Sequence, residues 1–407
     1  MTLQRAPVCG VVVGGGIAGL GAALALAQAD PALKLVLLEQ ASAFSEVGAG
    51  IQLGSNAMRV LHSWGLGVDV AGCAAFPERL LVRDAQAGSE LGQLRLGARA
   101  RQRYGFPYAT IHRADLHQLL LQAVRQTGRV DLQLNQRVQQ WHTDARSVQL
   151  GTEAGATFQA DMLLGCDGLW STVRPLLHRE PPPVFSGHLA YRGLLPMHRL
   201  PALLRAQVEH SVNVWLGPRL HAVHYPVRSG EYLNVVVIVH GAWHAGAAHW
   251  DHTAHATDLQ RALGRVASDL NAVLHAVPQW RLWPLYLRPP MRSAAEHAQG
   301  CIGLLGDAAH PMPPYLAQGA AMALEDAWAL GQCASTPGAL QDVPALLQRW
   351  AISRWQRNAW VQTRARRNGT IFHARGPLRW GRNWAMAALG ESLLDVPQLY
   401  AGPALPF

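Results

Sequence analysis

Glycines at 14, 16 and 19 in the run GGGIAG form the pattern G-x-G-x-x-G, and Glu39 follows twenty residues after the last of them. Such spacing permits a tight turn, brings phosphate close to backbone and lets a helix pack tightly. The helix start adds free N–H groups and about half a positive charge. Glu39 is placed to accept hydrogen bonds from a ribose. Two more acids close apolar runs: Asp167 in ADMLLGCDGLWSTVR, with Ser171 and Arg174 close behind, and Asp307 in CIGLLGDAAHP. Three acidic strand ends far apart in sequence suggest one long ligand touched at several points. A further pair, His221 and Tyr225 in LHAVHYPV, has the spacing to do proton chemistry. On a strand these two share a face with Val223, and His224 takes the other. A histidine and a phenol differ by about 3.5 pKa units, roughly 5 kcal/mol, so a lone histidine is a poor base for a phenol. A tyrosine matches the phenol, exchanges a proton with it near thermoneutrality, and can hand it to the histidine.

The elements that must hold these residues are legible in outline. VCGVVV reads as a buried strand, IAGLGAALALAQA as the helix after the glycines, and LKLVLLEQ as a second strand ending in Glu39. Between EPPPVF at 180–185 and about Met291 the pattern changes to SVNVWLG, LHAVHYPV and YLNVVVIVH, which read as antiparallel strands with one half-buried face. Residues 343–373 read as one long Arg- and Trp-rich amphipathic helix that braces two domains or a partner subunit. The chain therefore divides into a discontinuous nucleotide domain (1–75, 105–180 and 295–335), a second domain (76–104 and 181–294) and a C-terminal helical segment (336–407).

Composition narrows the function. The net charge is +9, but Lys34 is the only lysine and the arginines are scattered, so no basic stripe for nucleic acid is present. Five separated cysteines without a C-x-x-C pair fit reduced thiols and a cytoplasmic protein. The N-terminal stretch has the outline of a secretory signal, yet its removal would delete the glycine motif. No other apolar run approaches the roughly 18 residues of a membrane span. HGAWHAGAAHWDHTAHA supplies His240, His244, His249, His252 and His255, with His240 and His244 at the i, i+4 spacing of a helical metal pair. No cysteine or carboxylate completes a set, so the expectation is a solvated segment, a loop running into a helix, and no metal.

GGGIAG, CDG and GDAAHP, in this order and spacing, resemble the single-component FAD-dependent aromatic hydroxylases along nearly the whole chain. SEVGAGIQLGSNAMRVLHSWGL, IHRADLHQLL, GPRLHAVHYPVRSGEYLNVVVIV and RNGTIFHARGP are similar to the branch holding salicylate hydroxylase, 3-hydroxybenzoate 6-hydroxylase and 6-hydroxynicotinate 3-monooxygenase. The resemblance implies an α/β chain: a Rossmann-like FAD-binding domain of the p-hydroxybenzoate hydroxylase kind, an inserted substrate domain on an antiparallel sheet, and long C-terminal helices. It implies that Gly14, Gly16 and Gly19 hold the FAD pyrophosphate, Glu39 the adenosine ribose, and Arg113 a phosphate or ribose. Val138 would meet adenine through its backbone, and Asp307 the ribityl chain. Ala18, Gln40, Gly50, Gln52, Asp167, Gly306, Pro314, Gly319 and Ala320 are the other cofactor-lining positions, with 48–54 and 314–320 bordering the isoalloxazine. His221 and Tyr225 would be catalytic. A structural alternative for Arg113 is a pair with Asp115.

The activity so implied uses NADH or NADPH, with NADH favoured by the branch, and dioxygen to hydroxylate a small phenolic or heteroaromatic substrate through a flavin hydroperoxide. No second G-x-G-x-x-G appears, so the nicotinamide visits without a domain of its own. A flavin halogenase needs an active-site lysine, and Lys34 lies on the second strand. A natural-product tailoring monooxygenase and a non-catalytic flavin-binding protein remain as alternatives. The 3-hydroxybenzoate branch carries glutamine where this chain has Pro314, and the hydroxynicotinate branch has histidine near the place of Gln52. The substrate and the choice between monomer and homodimer stay open.

Overall fold

The computed structural model of the chain describes residues 9–44, 49–144, 147–178, 180–243 and 252–403. Apolar runs without alternation become strands buried on both faces, as parallel sheets require. These are β1 (Cys9–Val13), β2 (Lys34–Leu38), β11 (Met162–Gly165) and β19 (Ile302–Leu304), with β18 (Ala298–Gln299) at one edge and the polar, partly exposed β7 (Val130–Gln133) at the other. Their order is β18-β19-β11-β1-β2-β7, and every pairing but β18 with β19 is parallel. Glu39, Asp167 and Asp307 thus all sit just beyond the C-terminal ends of strands of one sheet. Helix Ile17–Ala29 is so rich in alanine and glycine that helix Gly319–Ala334 lies directly on it. A Cβ on Gly331 would stand 3.0 Å from that of Ala25. Small sheets made of β3 (Gly50–Leu53) with β6 (Ala109–His112), and of β8 (Val138–Thr143), β9 (Val148–Thr152) and β10 (Thr157–Ala160), flank this layer.

The alternating segments build an eight-stranded sheet from β4 (Arg79–Asp84), β5 (Glu90–Arg95), β12 (Val184–Pro196), β13 (Ser211–Gly217), β14 (Leu220–Val227), β15 (Tyr232–His240), β16 (His252–Ala254) and β17 (Trp280–Leu287). Its order is β16-β17-β12-β15-β14-β13-β4-β5, antiparallel throughout except that β13 runs parallel to β4. Alternation sorts its side chains. Tyr191, Ala222, Val235, Val237 and Val239 face one core with Leu259, Leu270 and Val273 from two short helices. Ala190 and Ile238 face the other way, toward Tyr315 from the loop after Asp307.

The expected long helix spans Val343–Phe372, and its buried stripe includes Leu346, Leu347, Trp350 and Arg354. It is pinned to helix Gly319–Ala334 by charge as well as by packing. Glu325 and Asp326 are fully buried there. Arg354 reaches Glu325 at 3.0 Å and Asp326 at 2.8 Å, Arg357 holds Glu325 at 2.6 Å, and Asn358 donates to Asp326 at 2.9 Å. Burial alone would raise both acid pKa values. His310 and Arg354 at Asp326, and Arg354 and Arg357 at Glu325, overturn this and hold both below the ordinary carboxylate range. Arg354→Met leaves buried charge without its partner, and the expected loss is about 3–5 kcal/mol in denaturant unfolding. Because both folded-state pKa values are depressed, the stabilisation is complete above about pH 5 and is lost as pH falls through about 4 and lower. A pH series of melting curves checks this, with the variant showing a flatter acid limb.

Candidate active site

At the first strand end the backbone leaves no room for side chains. Gly14 has φ +104°, and a Cβ on it would lie 2.5 Å from the Cys166 carbonyl oxygen; one on Gly19 would lie 1.8 Å from the Gly14 carbonyl oxygen. Gly16 caps helix Ile17–Ala29 with no side chain over its N–H groups. Glu39 accepts from the Gly15 N–H at 2.7 Å and from the Ala41 N–H at 2.8 Å, so its carboxylate is aimed at the glycine turn. His117, which sequence reasoning missed, contacts the Gly15 carbonyl oxygen at 2.8 Å and steadies the same turn. Its only signal was its place one helical turn beyond Arg113. Gln40 is exposed, and Val138 is buried at the start of β8 with its register set by Thr152.

Arg174 joins the other two acidic ends. It is buried, donates to the Ala308 and Ala309 carbonyl oxygens at 2.8 and 2.7 Å, and pairs with Glu180 at 2.9 Å. Asp167 uses one oxygen to accept from Thr172 and Val173, and its other oxygen is buried without a hydrogen-bond partner. Asp307 is accessible along the groove. Burial nonetheless raises its pKa, because protein surrounds the groove, while Arg113 acts against the rise. Arg113 and Asp307 therefore come together. Asp115 pairs with Arg228 at 2.9 Å. Gly306, at φ +57°, lets its loop touch Ala18. Beyond it Pro314 is exposed, Ala317 takes a left-handed φ of +53°, and a Cβ on Gly319 would meet nothing within 4 Å. Ala320 is half-buried beside it. A cradle that glycines keep bare, an orphaned Asp167 oxygen and an open helix start beside Gly319 together fit an extended dinucleotide such as FAD.

The sheet roofs this groove with one face. Cross-strand pairs place Tyr225 level with Asn234, Val223 with Val236 and Arg192, His221 with Ile238 and Ala190, and His240 with His188. Asn234 accepts from the Gly50 N–H at 2.6 Å, and a Cβ on Gly50 would strike Asn234 and Tyr225. Gln52 accepts from the Tyr108 hydroxyl and lies close enough to the Tyr225 hydroxyl to act on it. Arg192 stacks on Trp283 at 3.9 Å and its charge reaches Tyr225. Four residues of strand separate Tyr225 from His221, roughly 13 Å at ~3.3 Å per residue. Tyr225 sits beside Gly50 and Asn234, whereas His221 sits beside His373, so the two stand apart along one face. His224 lies on the far face as expected, accepting from the Trp215 indole at 2.9 Å.

At the His221 end four imidazoles and a phenol meet. His221 Nδ1 is 2.7 Å from His373 Nε2, His373 Nδ1 is 2.9 Å from His240 Nε2, and His188 Nδ1 is 2.6 Å from the Tyr315 hydroxyl. Gly369, inside the long helix, makes room for the Tyr315 ring. Burial moves the acids and bases apart. It pushes the Tyr225 pKa well up and drives that of His221 down to about 3 and that of His240 to about 4, with neighbouring imidazoles adding to it. All these groups are neutral at pH 7, and a standing imidazolium is strongly disfavoured. His240 ends strand β15 and is half-buried, so the expectation that it belongs to a solvated segment is corrected. His244 and His249 lie outside the described residues; His252 is on β16 against Trp243, and His255 caps a short helix.

A parallel nucleotide sheet with three acidic strand ends, roofed by an antiparallel sheet that carries ionisable side chains, defines a flavoprotein monooxygenase. The chain belongs to the FAD binding domain family, whose model matches residues 5–357, and it is an FAD-dependent oxidoreductase of that kind. It is 35% identical over 374 residues to 3-hydroxybenzoate 6-hydroxylase of Polaromonas naphthalenivorans, covering 92% of this chain and 90% of that one. It is 33% identical over 352 residues to 6-hydroxynicotinate 3-monooxygenase of Bordetella bronchiseptica, covering 86% and 88%. A salicylate hydroxylase substrate complex superposes with a TM-score of 0.81 at 25% identity, over 99% of this chain and 100% of the other. Asp307→Ala is expected to leave the circular dichroism unchanged and weaken FAD retention by about tenfold or more, read from the flavin-to-protein absorbance ratio.

Proposed function

We propose that the protein hydroxylates a small aromatic acid bearing a phenolic or heteroaromatic hydroxyl. NAD(P)H, dioxygen and a proton are consumed, and hydroxylated product, water and NAD(P)+ are formed. Similarity to hydroxylases of hydroxybenzoate and hydroxynicotinate along most of the chain supports this class of substrate. The observation that carries the reading is the roofing face itself, with Arg192, Gln52 and Tyr225 at one end and His221 at the other. Gly14, Gly16, Gly19, Glu39, Arg113, Asp167, Gly306 and Asp307 would hold FAD, with Gly50, Gln52, Pro314, Gly319 and Ala320 bordering its ring. The bound flavin supplies the electrons taken from the nicotinamide and the activated oxygen.

The protein's own residues then have divided tasks. Arg192 and Tyr225 bind the carboxylate and fix the ring's direction, and the Tyr225 hydroxyl, kept protonated by burial, donates to it. His221 takes the hydroxyl proton. Its Nδ1 adjoins His373, whose other nitrogen adjoins half-buried His240, so one proton can enter at His221 and another leave at His240 with every ring neutral again. That avoids a lasting imidazolium in a site that disfavours one. The sheet and Tyr315 exclude water. The described residues contain no helix long and apolar enough to cross a membrane, in keeping with a cytoplasmic enzyme.

His221→Ala and Tyr225→Phe are each expected to reduce product formation by about 10²–10⁴-fold while FAD content stays near that of the parent. The measurement is NADH oxidation and product mass over a panel of phenolic acids and hydroxypyridines. Unchanged turnover in His221→Ala would remove it as the base. A panel in which only large neutral substrates are converted would favour a natural-product tailoring enzyme, and no product from any substrate would favour a flavin-binding protein without turnover.

A further inference from the structure

Three of the four clustered histidines come from separate elements: His188 from β12, His240 from the end of β15 and His373 from just past the long helix. One ring nitrogen of each lies within 4.8 Å of the others. Tetrahedral zinc holds imidazole nitrogens about 3.4 Å apart, given metal–nitrogen bonds near 2.0–2.1 Å. Side-chain rotations of an ångström or less therefore bring this set to bonding distance. His188 and His240 are a direct cross-strand pair with ring centroids 4.4 Å apart, so the sheet itself sets their spacing.

Two of the three rings are also held from behind, as metal-bound histidines are. If His188 binds through Nε2, its Nδ1–H donates to the Tyr315 hydroxyl at 2.6 Å. If His373 binds through Nδ1, its Nε2–H donates to His221 Nδ1 at 2.7 Å. We propose that His188, His240 and His373 form a binding site for one divalent transition-metal ion of the zinc class, with a fourth position open, and that its occupation silences His221 as a base. The second half rests on the function proposed above; the binding itself does not. With the ion on His373 Nδ1, the remaining proton of that ring sits on Nε2 and occupies the Nδ1 lone pair of His221. Neutral His221 then carries its proton on Nε2 and has no vacant nitrogen. The ion also occupies His373 Nδ1, the nitrogen that would pass the proton on to His240. Arg219, Arg375 and Arg382 lie close enough to repel the ion, which sets the expected affinity in the micromolar range.

The test uses untagged, FAD-loaded protein stripped of metal by chelator and titrated with Co²⁺, followed by competition with Zn²⁺. The expected result is visible Co²⁺ absorption of tetrahedral intensity saturating at about one ion per chain, bleached by Zn²⁺. His188→Gln and His240→Gln should each weaken binding by about 100-fold, and Tyr315→Phe by about tenfold, with FAD content reporting intact folding. Absence of the spectrum, or an unchanged spectrum in both His188→Gln and His240→Gln, overturns the site; the latter would place the ion on other histidines. In the second arm, saturating Zn²⁺ should slow hydroxylation at least about tenfold and be reversed by chelator. Stoichiometric binding with undiminished turnover overturns the silencing of His221. Binding in a protein that hydroxylates nothing upholds the site and refutes the proposed function alone.

Discussion

Two adjacent carboxylates without access to water, Glu325 and Asp326, hold the rest of the structure in register. Charges in that position are tolerable only if they are met by hydrogen bonds and opposite charge, and the groups that meet them come from three separate stretches of the chain. Asn56, from the helix after the Gly50–Leu53 strand, donates to Glu325 at 2.8 Å and to Gln318 at 3.0 Å. His310, from the loop after Asp307, bonds Asp326. Arg354, Arg357 and Asn358 bring in the long helix, and Gln362 one turn on donates to the Pro311 carbonyl oxygen at 3.0 Å. One buried charge pair thus couples the flavin-side loop, the third acidic strand end and the helix whose far end delivers His373.

From that anchor the chemistry follows by placement. The long helix sets Gly369 against Tyr315 and His373 against His221 and His240, while strand alternation turns His188, Arg192, His221 and Tyr225 to the same side. A glycine inside a helix costs about 1 kcal/mol relative to alanine, and here the vacancy it leaves is filled by a tyrosine ring. Low polarity then acts in opposite senses on the two kinds of group. It keeps phenols protonated and imidazoles unprotonated, so the charge near these side chains is that of arginines alone. Such a site favours moving a proton through it over storing one in it.

Legibility in the sequence tracked how local the cause was. The glycine turn, the three acidic strand ends and the alternating strands each depend on a few consecutive residues, and they stand where the patterns put them. Reasoning along the strand also gave the shared face of His221 and Tyr225 but not the distance between their tasks, because it counted pleats and not what fills the space between. No local pattern named the partners of Arg174, His117, Asn234 and Tyr315, although Arg174 follows the second acidic strand end and Tyr315 lies within the 314–320 loop. Those partners lie 134, 102, 184 and 127 residues away along the chain. His240 was grouped with His244 by spacing, when its working neighbours are His188 and His373.

The sequence by itself determined the glycine turn, the acidic strand ends and the two kinds of strand, because each is written in short runs whose backbone geometry or periodicity is nearly independent of context, and its resemblance to the aromatic hydroxylases carried the cofactor and the kind of reaction. Only the tertiary structure decided which acid meets which arginine, that Tyr225 and His221 stand at opposite ends of one cavity, and that four histidines from three strands and a helix end converge. Those relations depend on strand order, register and the buried charges of Glu325 and Asp326, which fix distances between residues that no local pattern connects.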